Sequence, residues 1–159
     1  MIRFISDENE KESIAGNILN QLPKWFGLPD STNEYIVNSK KFPFWAYFEE
    51  NVPIGFIVLK ETGRFTVEIY VMGVLEEYHR KRIGHQLWES FLQYARENGY
   101  EYVQVKTVKK GCYKEYDSTT AFYEKMGFRE LECLPTLWDE WNPCQIYVKY
   151  IGESKERRR

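Results

Sequence analysis

The stretch Val71–Ala95, VMGVLEEYHRKRIGHQLWESFLQYA, decides how the chain is read. Its first residues look like the end of a strand, its middle like a basic turn and its last part like an amphipathic helix. Ile83, Leu87, Phe91 and Ala95 recur every four residues, with Leu92 beside them, which places them on one helical face. Tyr78 to Gly84 lead into the first turn. A helix N-terminus presents unpaired N–H groups and a partial positive charge. Gly84 lets a ligand or a backbone come close, and Arg80, Lys81 and Arg82 stand just upstream. Together they describe a site for a diphosphate. The same residues also fit a solvated, basic helix start with a packing glycine.

A second segment, Ala121-Phe122-Tyr123-Glu124-Lys125-Met126-Gly127-Phe128, follows at a distance that one strand and one loop would fill. The two segments resemble motifs A and B of the GCN5-related N-acetyltransferase (GNAT) superfamily, in that family's order. Motif A reads Arg/Gln-x-x-Gly-x-Gly/Ala. His79 falls on its first position, Arg82 on its first glycine and Gly84 on its second. Motif B commonly reads like "lYeklGF". The similarity runs from about Phe44 to Tyr150.

The resemblance implies acetyl-CoA as co-substrate, lying in a V-shaped opening between two splayed central strands. Met72, Gly73 and Val74 would then offer backbone groups to the pantetheine and the acetyl group. The pyrophosphate would rest on the turn formed by His79, Arg80, Lys81, Arg82, Ile83 and Gly84. His85 closes that turn, although its place on the helix points it outward. Main-chain N–H groups need no particular side chain, and Arg80 and Arg82 are placed to pair with phosphates. Tyr123 corresponds to the family's general acid. A phenol and a thiol have reference pKa values of roughly 10 and 8.5, so proton transfer to the thiolate is reasonable. Glu68 has the spacing of the general-base glutamate of the histone acetyltransferase branch, and a partly buried carboxylate there would hold a raised pKa. For Tyr123 the alternative is helix packing, and for Glu68 the solvent side of a strand. Tyr116 falls where family members often place an asparagine that contacts the cofactor.

The rest of the chain bounds these readings. Its 159 residues suit one domain, expected over 1–152, with a charged tail at 153–159. A hydrophobic fraction of 43% is enough for a core, and a net charge of −2 does not point to nucleic acid. Aromatic residues reach 17% and cluster at Trp25-Phe26, Phe42–Phe48, Trp138 and Trp141. Most must be core, and some suit the walls of an acceptor pocket. Cys112, Cys133 and Cys144 have no metal-ligand spacing, so no metal is expected and the thiols read as reduced. Cys112 has no neighbouring histidine to activate it as a nucleophile. Neither a signal peptide nor a membrane-length apolar run is apparent, so a cytoplasmic location is expected.

Periodicity and turn residues predict the order β-α-α-β-β-β-α-β-α-β-β. This is an α/β (α+β) arrangement, a mixed sheet of about seven strands with helices on both faces. Asp7 or Asn9 is expected to cap the first helix, Ser31-Thr32-Asn33-Glu34 to form a capping box for the second, and Asp117 or Ser118 to cap the helix of motif B. Pro135–Pro143 is expected as a loop. A primary amine, on a small molecule or a protein, is the expected acceptor, and the aromatic-rich segment 134–150 a possible dimer surface. The competing reading is a CoA-binding module with this fold and no turnover.

Overall fold

The computed structural model describes residues 1–152. The tail expected at 153–159 lies outside the described residues. Seven strands and four helices are formed by this part of the chain. They are β1 (Ile2–Ile5), α1 (Glu8–Leu19), α2 (Pro29–Ser39), β2 (Phe44–Glu49), β3 (Val52–Gly63), β4 (Thr66–Val74), α3 (Ile83–Glu97), β5 (Tyr102–Val108), α4 (Lys114–Lys125), β6 (Arg129–Asp139) and β7 (Asn142–Tyr150). A short 3-10 turn, Glu76–Tyr78, joins β4 to the basic turn. The order matches the one expected. The sheet runs β1-β2-β3-β4-β5-β7-β6, and β4–β5 is its parallel pair among the described strands.

The amphipathic reading of α3 holds at every position named for it. Ile83, Leu87, Phe91, Leu92 and Ala95 are all buried, joined by Trp88. Burying each large side chain of this kind contributes roughly 1.5–3 kcal/mol, so this face anchors α3 firmly to the sheet. Asn98 ends the helix and Gly99 leaves it with φ +80°. The opposite face of the sheet takes α1 and α2. Gly73 of β4 is a packing glycine there, since a Cβ on it would stand 3.2 Å from Leu22 Cδ1 and 3.3 Å from Ile18 Cγ2.

One irregularity shapes the centre of the sheet. In the β3–β4 pairing Val58 faces Val71, while Leu59 faces Ile69, which leaves Tyr70 as an extra residue on β4. Such a bulge bends its strand and increases the local twist. The parallel pairing of β4 with β5 ends just before it, at Glu68 opposite Gln104. Beyond that point β5 continues against β7 as far as Val108, so β4 and β5 diverge and leave a V-shaped gap.

Three local expectations are corrected. Helix α2 starts at Pro29, capped by Leu28 without a side-chain bond. Proline has a preset φ and no N–H to satisfy, so it opens a helix readily. The Thr32 hydroxyl donates to the Phe26 carbonyl (3.1 Å) instead of capping. Helix α4 starts at Lys114 after Tyr113, again without a side-chain cap. Asp117 Oδ1 accepts the Gly111 N–H at 2.8 Å, so it orders the preceding loop. The segment 135–143 is mostly a hairpin rather than a loop: β6 runs through Pro135 to Asp139. Pro135 is tolerated because β6 is an edge strand. Asp139 Oδ1 closes the turn by accepting the N–H groups of Trp141 and Asn142. The capping of α1 by Asp7, through Glu10 N–H at 2.8 Å, is as expected.

Candidate active site

The V-shaped gap can be lined from hydrogen-bond parity alone. Paired residues of antiparallel strands alternate between bonded and non-bonded. Leu75 N–H donates to Ile54 O, so in that register Gly73 is bonded to β3 through Phe56. The N–H and C=O groups of Met72 and Val74 then point away from β3, into the gap. On the other wall Lys109 N–H donates to Pro143 O, so Lys106 and Val108 direct their backbone groups away from β7. Of the three residues expected to offer backbone groups, Met72 and Val74 have theirs turned to the gap. Gly73 has its own turned to β3.

The basic turn lies beyond the end of β4. The first bond within α3 is Gln86 N–H to Arg82 O (3.0 Å), so the N–H groups of Ile83, Gly84 and His85 have no partner inside the helix. Arg82 caps the helix in the left-handed conformation, φ +62°, and Arg80 has φ +67°. A left-handed residue leading into a helix makes a concave nest of N–H groups that favours an anion. The backbone thus adopts at Arg82 the conformation that a glycine takes without strain. Arg82→Gly is expected to leave the protein as stable as wild type, or stabler by up to about 1 kcal/mol, because it removes left-handed strain at the cost of some chain entropy. Denaturant unfolding of the two proteins checks this.

Gly84 has a packing reason to be glycine. A Cβ there would stand 3.2 Å from Phe122 Cζ and 3.4 Å from Met72 Cε, so the first turn of α3 is pressed against α4 and β4. His79 differs from its expected role in the turn. Its N–H donates to Glu76 O (3.1 Å), closing the 3-10 turn, and its ring Nε2 lies 2.7 Å from Val74 O at the end of β4. His85 lies at the surface, as its place on the helix implied, with Nε2 3.3 Å from Glu89 Oε1.

Glu68, on β4, and Tyr123, on α4, are both buried. Glu68 lies on β4 at the apex of the V and is only 4% exposed, so the solvent-side alternative does not apply. Burial raises its carboxyl above the ordinary range, against the opposing pull of Lys106 and Lys60. Lys106 Nζ, on β5, is 3.4 Å from Glu68 Oε2. Tyr123 on α4 is buried, and that burial together with Tyr35 and Tyr116 pushes its phenol well above the ordinary value. Its ring packs against Phe128, with centroids 5.7 Å apart. Burial and the neighbouring Tyr70, Glu68, Tyr116 and Cys144 push Tyr35, on α2, up to about 12. Tyr70, the bulge residue, stacks edge-on with Tyr35 (5.2 Å) and Phe42 (5.4 Å), and its hydroxyl accepts from Asn38 Nδ2 at 2.9 Å.

Of the expected aromatic clusters, Phe42 joins Tyr35 and Tyr70 in one wall. Tyr35 and Tyr70 carry no local signal in the sequence, because what joins them is the packing of α2 on β4. Lys106 was missed because it meets Glu68 across two strands far apart in sequence. Trp138 and Trp141 are exposed on the β6–β7 hairpin, away from this wall. Among the described residues no group of three or more His, Cys, Asp or Glu is placed to hold a metal. Also among them, no helix is long and apolar enough to cross a membrane.

A split sheet with a nest of N–H groups at its mouth and two buried proton-carrying side chains is the architecture of an acyltransferase. Residues 15–128 match the model of the acetyltransferase (GNAT) family, and the chain belongs to that family. A search of curated proteins finds no match. Solved structures share the whole fold at low identity. A protein of the GNAT acetyltransferase family from Desulfovibrio desulfuricans superposes with a TM-score of 0.80 at 15% identity, covering 96% of this chain and 99% of that one. An aminoglycoside 6'-N-acetyltransferase complexed with coenzyme A gives 0.73 at 16% identity, covering 96% and 97%. The ribosomal-protein-S18-alanine N-acetyltransferase of Escherichia coli gives 0.75 at 17% identity, covering 98% and 97%.

Proposed function

We propose that the protein transfers the acetyl group of acetyl-CoA directly to a primary amine. The observation that carries this reading is the gap between β4 and β5, which opens beyond Glu68 and Gln104 and leads to the uncapped first turn of α3. Acetyl-CoA supplies an activated thioester. The N–H groups of Ile83, Gly84 and His85, with Arg80 and Arg82, hold its pyrophosphate. Met72 and Val74 direct N–H groups at the carbonyl oxygen and stabilise charge that develops on it. Glu68 takes a proton from the acceptor amine, directly or through water, and its raised pKa makes it a better base than an ordinary carboxylate. Tyr123 gives its proton to the departing thiolate. Burial raises the phenol's pKa, but it raises that of a thiol in the same gap too, so the two stay matched.

Two of the three structural neighbours named above are an aminoglycoside acetyltransferase and an alanine N-acetyltransferase. A broad panel for this chain therefore spans aminoglycosides, polyamines and peptides with a free alanine N-terminus. Turnover would be read as free thiol released in the presence of each amine.

The cofactor turn is tested separately by calorimetric titration with acetyl-CoA. Binding is expected in the wild type, and Arg80→Ala/Arg82→Ala is expected to weaken it about tenfold, roughly 1.4 kcal/mol across two exposed charge-assisted contacts. If the wild type binds acetyl-CoA and no amine on the panel releases thiol, the module without turnover becomes the better description. No binding at all would remove both.

A further inference from the structure

The loop between α1 and α2 reaches across the mouth of the gap. Trp25 touches both walls at once. On the β4 side its ring meets the His79 ring edge-on at 5.6 Å, and that His79 is itself bonded to Val74 O at the end of the strand. Next to it Lys24 Nζ pairs with Glu76 Oε2 at 3.1 Å. On the β5 side Trp25 Nε1 donates to Glu115 O at 3.2 Å, and the Tyr116 hydroxyl donates to the Trp25 carbonyl. Both partners lie in the first turn of α4. These are reciprocal bonds between segments 90 and 91 residues apart in sequence. Tyr116 and Tyr123 are two helical turns apart on α4, so they share a face, and the clasp lies along α4 from the buried phenol. Glu68 and Tyr123 themselves are only 4% and 6% exposed.

We infer that Trp25 and Tyr116 form a clasp over the acyl channel, which closes behind the bound thioester and keeps water from it. This rests on the acetyl-CoA reading above. Both are positioning residues, acting through the loop they join to α4. A channel whose walls are tied together at the mouth cannot admit or release a pantetheine arm without parting the clasp, so the clasp governs release. With the clasp loosened, water attacks the carbonyl carbon, the C–S bond breaks, one of the water's protons passes to the thiolate and the other to solvent, giving acetate and CoA. Tyr116 stands where the resemblance places a cofactor-contacting asparagine, and its hydroxyl is turned to the loop instead.

The test uses the full chain with acetyl-CoA and no amine. Tyr116→Phe removes one bond of the clasp and Trp25→Phe the other, and each keeps an aromatic ring. Two rates are read: dissociation of acetyl-CoA by stopped flow, and slow release of free thiol. Each variant is expected to dissociate acetyl-CoA about fivefold to tenfold faster, the worth of roughly one partly buried hydrogen bond. Each is also expected to raise acceptor-free thiol release severalfold. Arg80→Ala/Arg82→Ala is the control, since it should speed dissociation without raising thiol release per bound acetyl-CoA. Should Trp25→Phe fold poorly by near-ultraviolet dichroism, Tyr116→Phe alone decides. Wild-type rates in well-folded variants would overturn the clasp while leaving the acetyltransferase reading intact. Failure of the wild type to bind acetyl-CoA would overturn both.

Discussion

Tyr123→Phe is expected to lower kcat by about 10²–10⁴-fold while leaving KM for acetyl-CoA within a few-fold of wild type. The substitution removes one oxygen and keeps the ring, which packs against Phe122 and Phe128 at centroid distances of 5.6 and 5.7 Å. Packing therefore survives, and a change in thermal stability should be small. The loss falls on kcat because the phenol is used when the thiolate departs, not when the thioester binds. A packing role predicts that activity and stability both stay near wild type, since the ring that packs is retained. Measuring kcat, KM and the unfolding midpoint on the same preparation separates the two. Burial holds the wild-type phenol protonated through the neutral range, so its titration should not appear as a basic limb below the ordinary tyrosine range.

The elements that resisted sequence reading did so for identifiable physical reasons. Helix α3 was legible because its stability comes from a single apolar face, and the spacing of Ile83, Leu87, Phe91 and Ala95 is that face. Strands β4 and β5 were legible from β-rich runs, but the gap between them was expected only through the resemblance. Its cause, the extra residue Tyr70, is a matter of register between two strands, which no single strand displays. The hairpin at 135–143 was misread because Pro135 and a polar turn look like a loop unless the strand is known to lie at an edge. The starts of α2 and α4 were misplaced because Thr32 and Asp117 have the chemistry of caps and spend it elsewhere. At the candidate site, Tyr123, Glu68, Met72, Val74 and the basic turn were singled out through the resemblance. Trp25, Tyr35, Tyr70 and Lys106 were not, since each enters through a contact between distant segments.

Glu68→Gln is expected to reduce kcat by about 10²-fold or more at slightly alkaline pH, and to remove the acidic limb of the wild-type pH profile. The glutamine has nearly the same shape and cannot accept the amine's proton. In the wild type, burial raises the carboxyl's pKa, so activity should fall as pH drops through a value above the ordinary carboxylate range. Stability should move the other way. A carboxyl whose folded pKa lies above its unfolded one favours the folded state at pH below the unfolded value, and that contribution is lost as pH rises through the folded value. At pH 8 the wild type therefore bears the cost of a buried carboxylate at the apex of the V, partly offset by Lys106 at 3.4 Å. Glutamine bears none of it, and Lys106, whose side chain is 34% exposed, can turn to water. The variant's melting temperature at pH 8 should be no lower than that of the wild type, and its change between pH 5 and 8 smaller. A Glu68→Gln protein that keeps full turnover across that range would end the general-base assignment. One that loses turnover and stability together would make the Glu68–Lys106 pair a structural tie between the two strands. Loss of turnover with stability kept is the signature of a carboxylate that the fold buries at a cost because the chemistry needs its proton affinity.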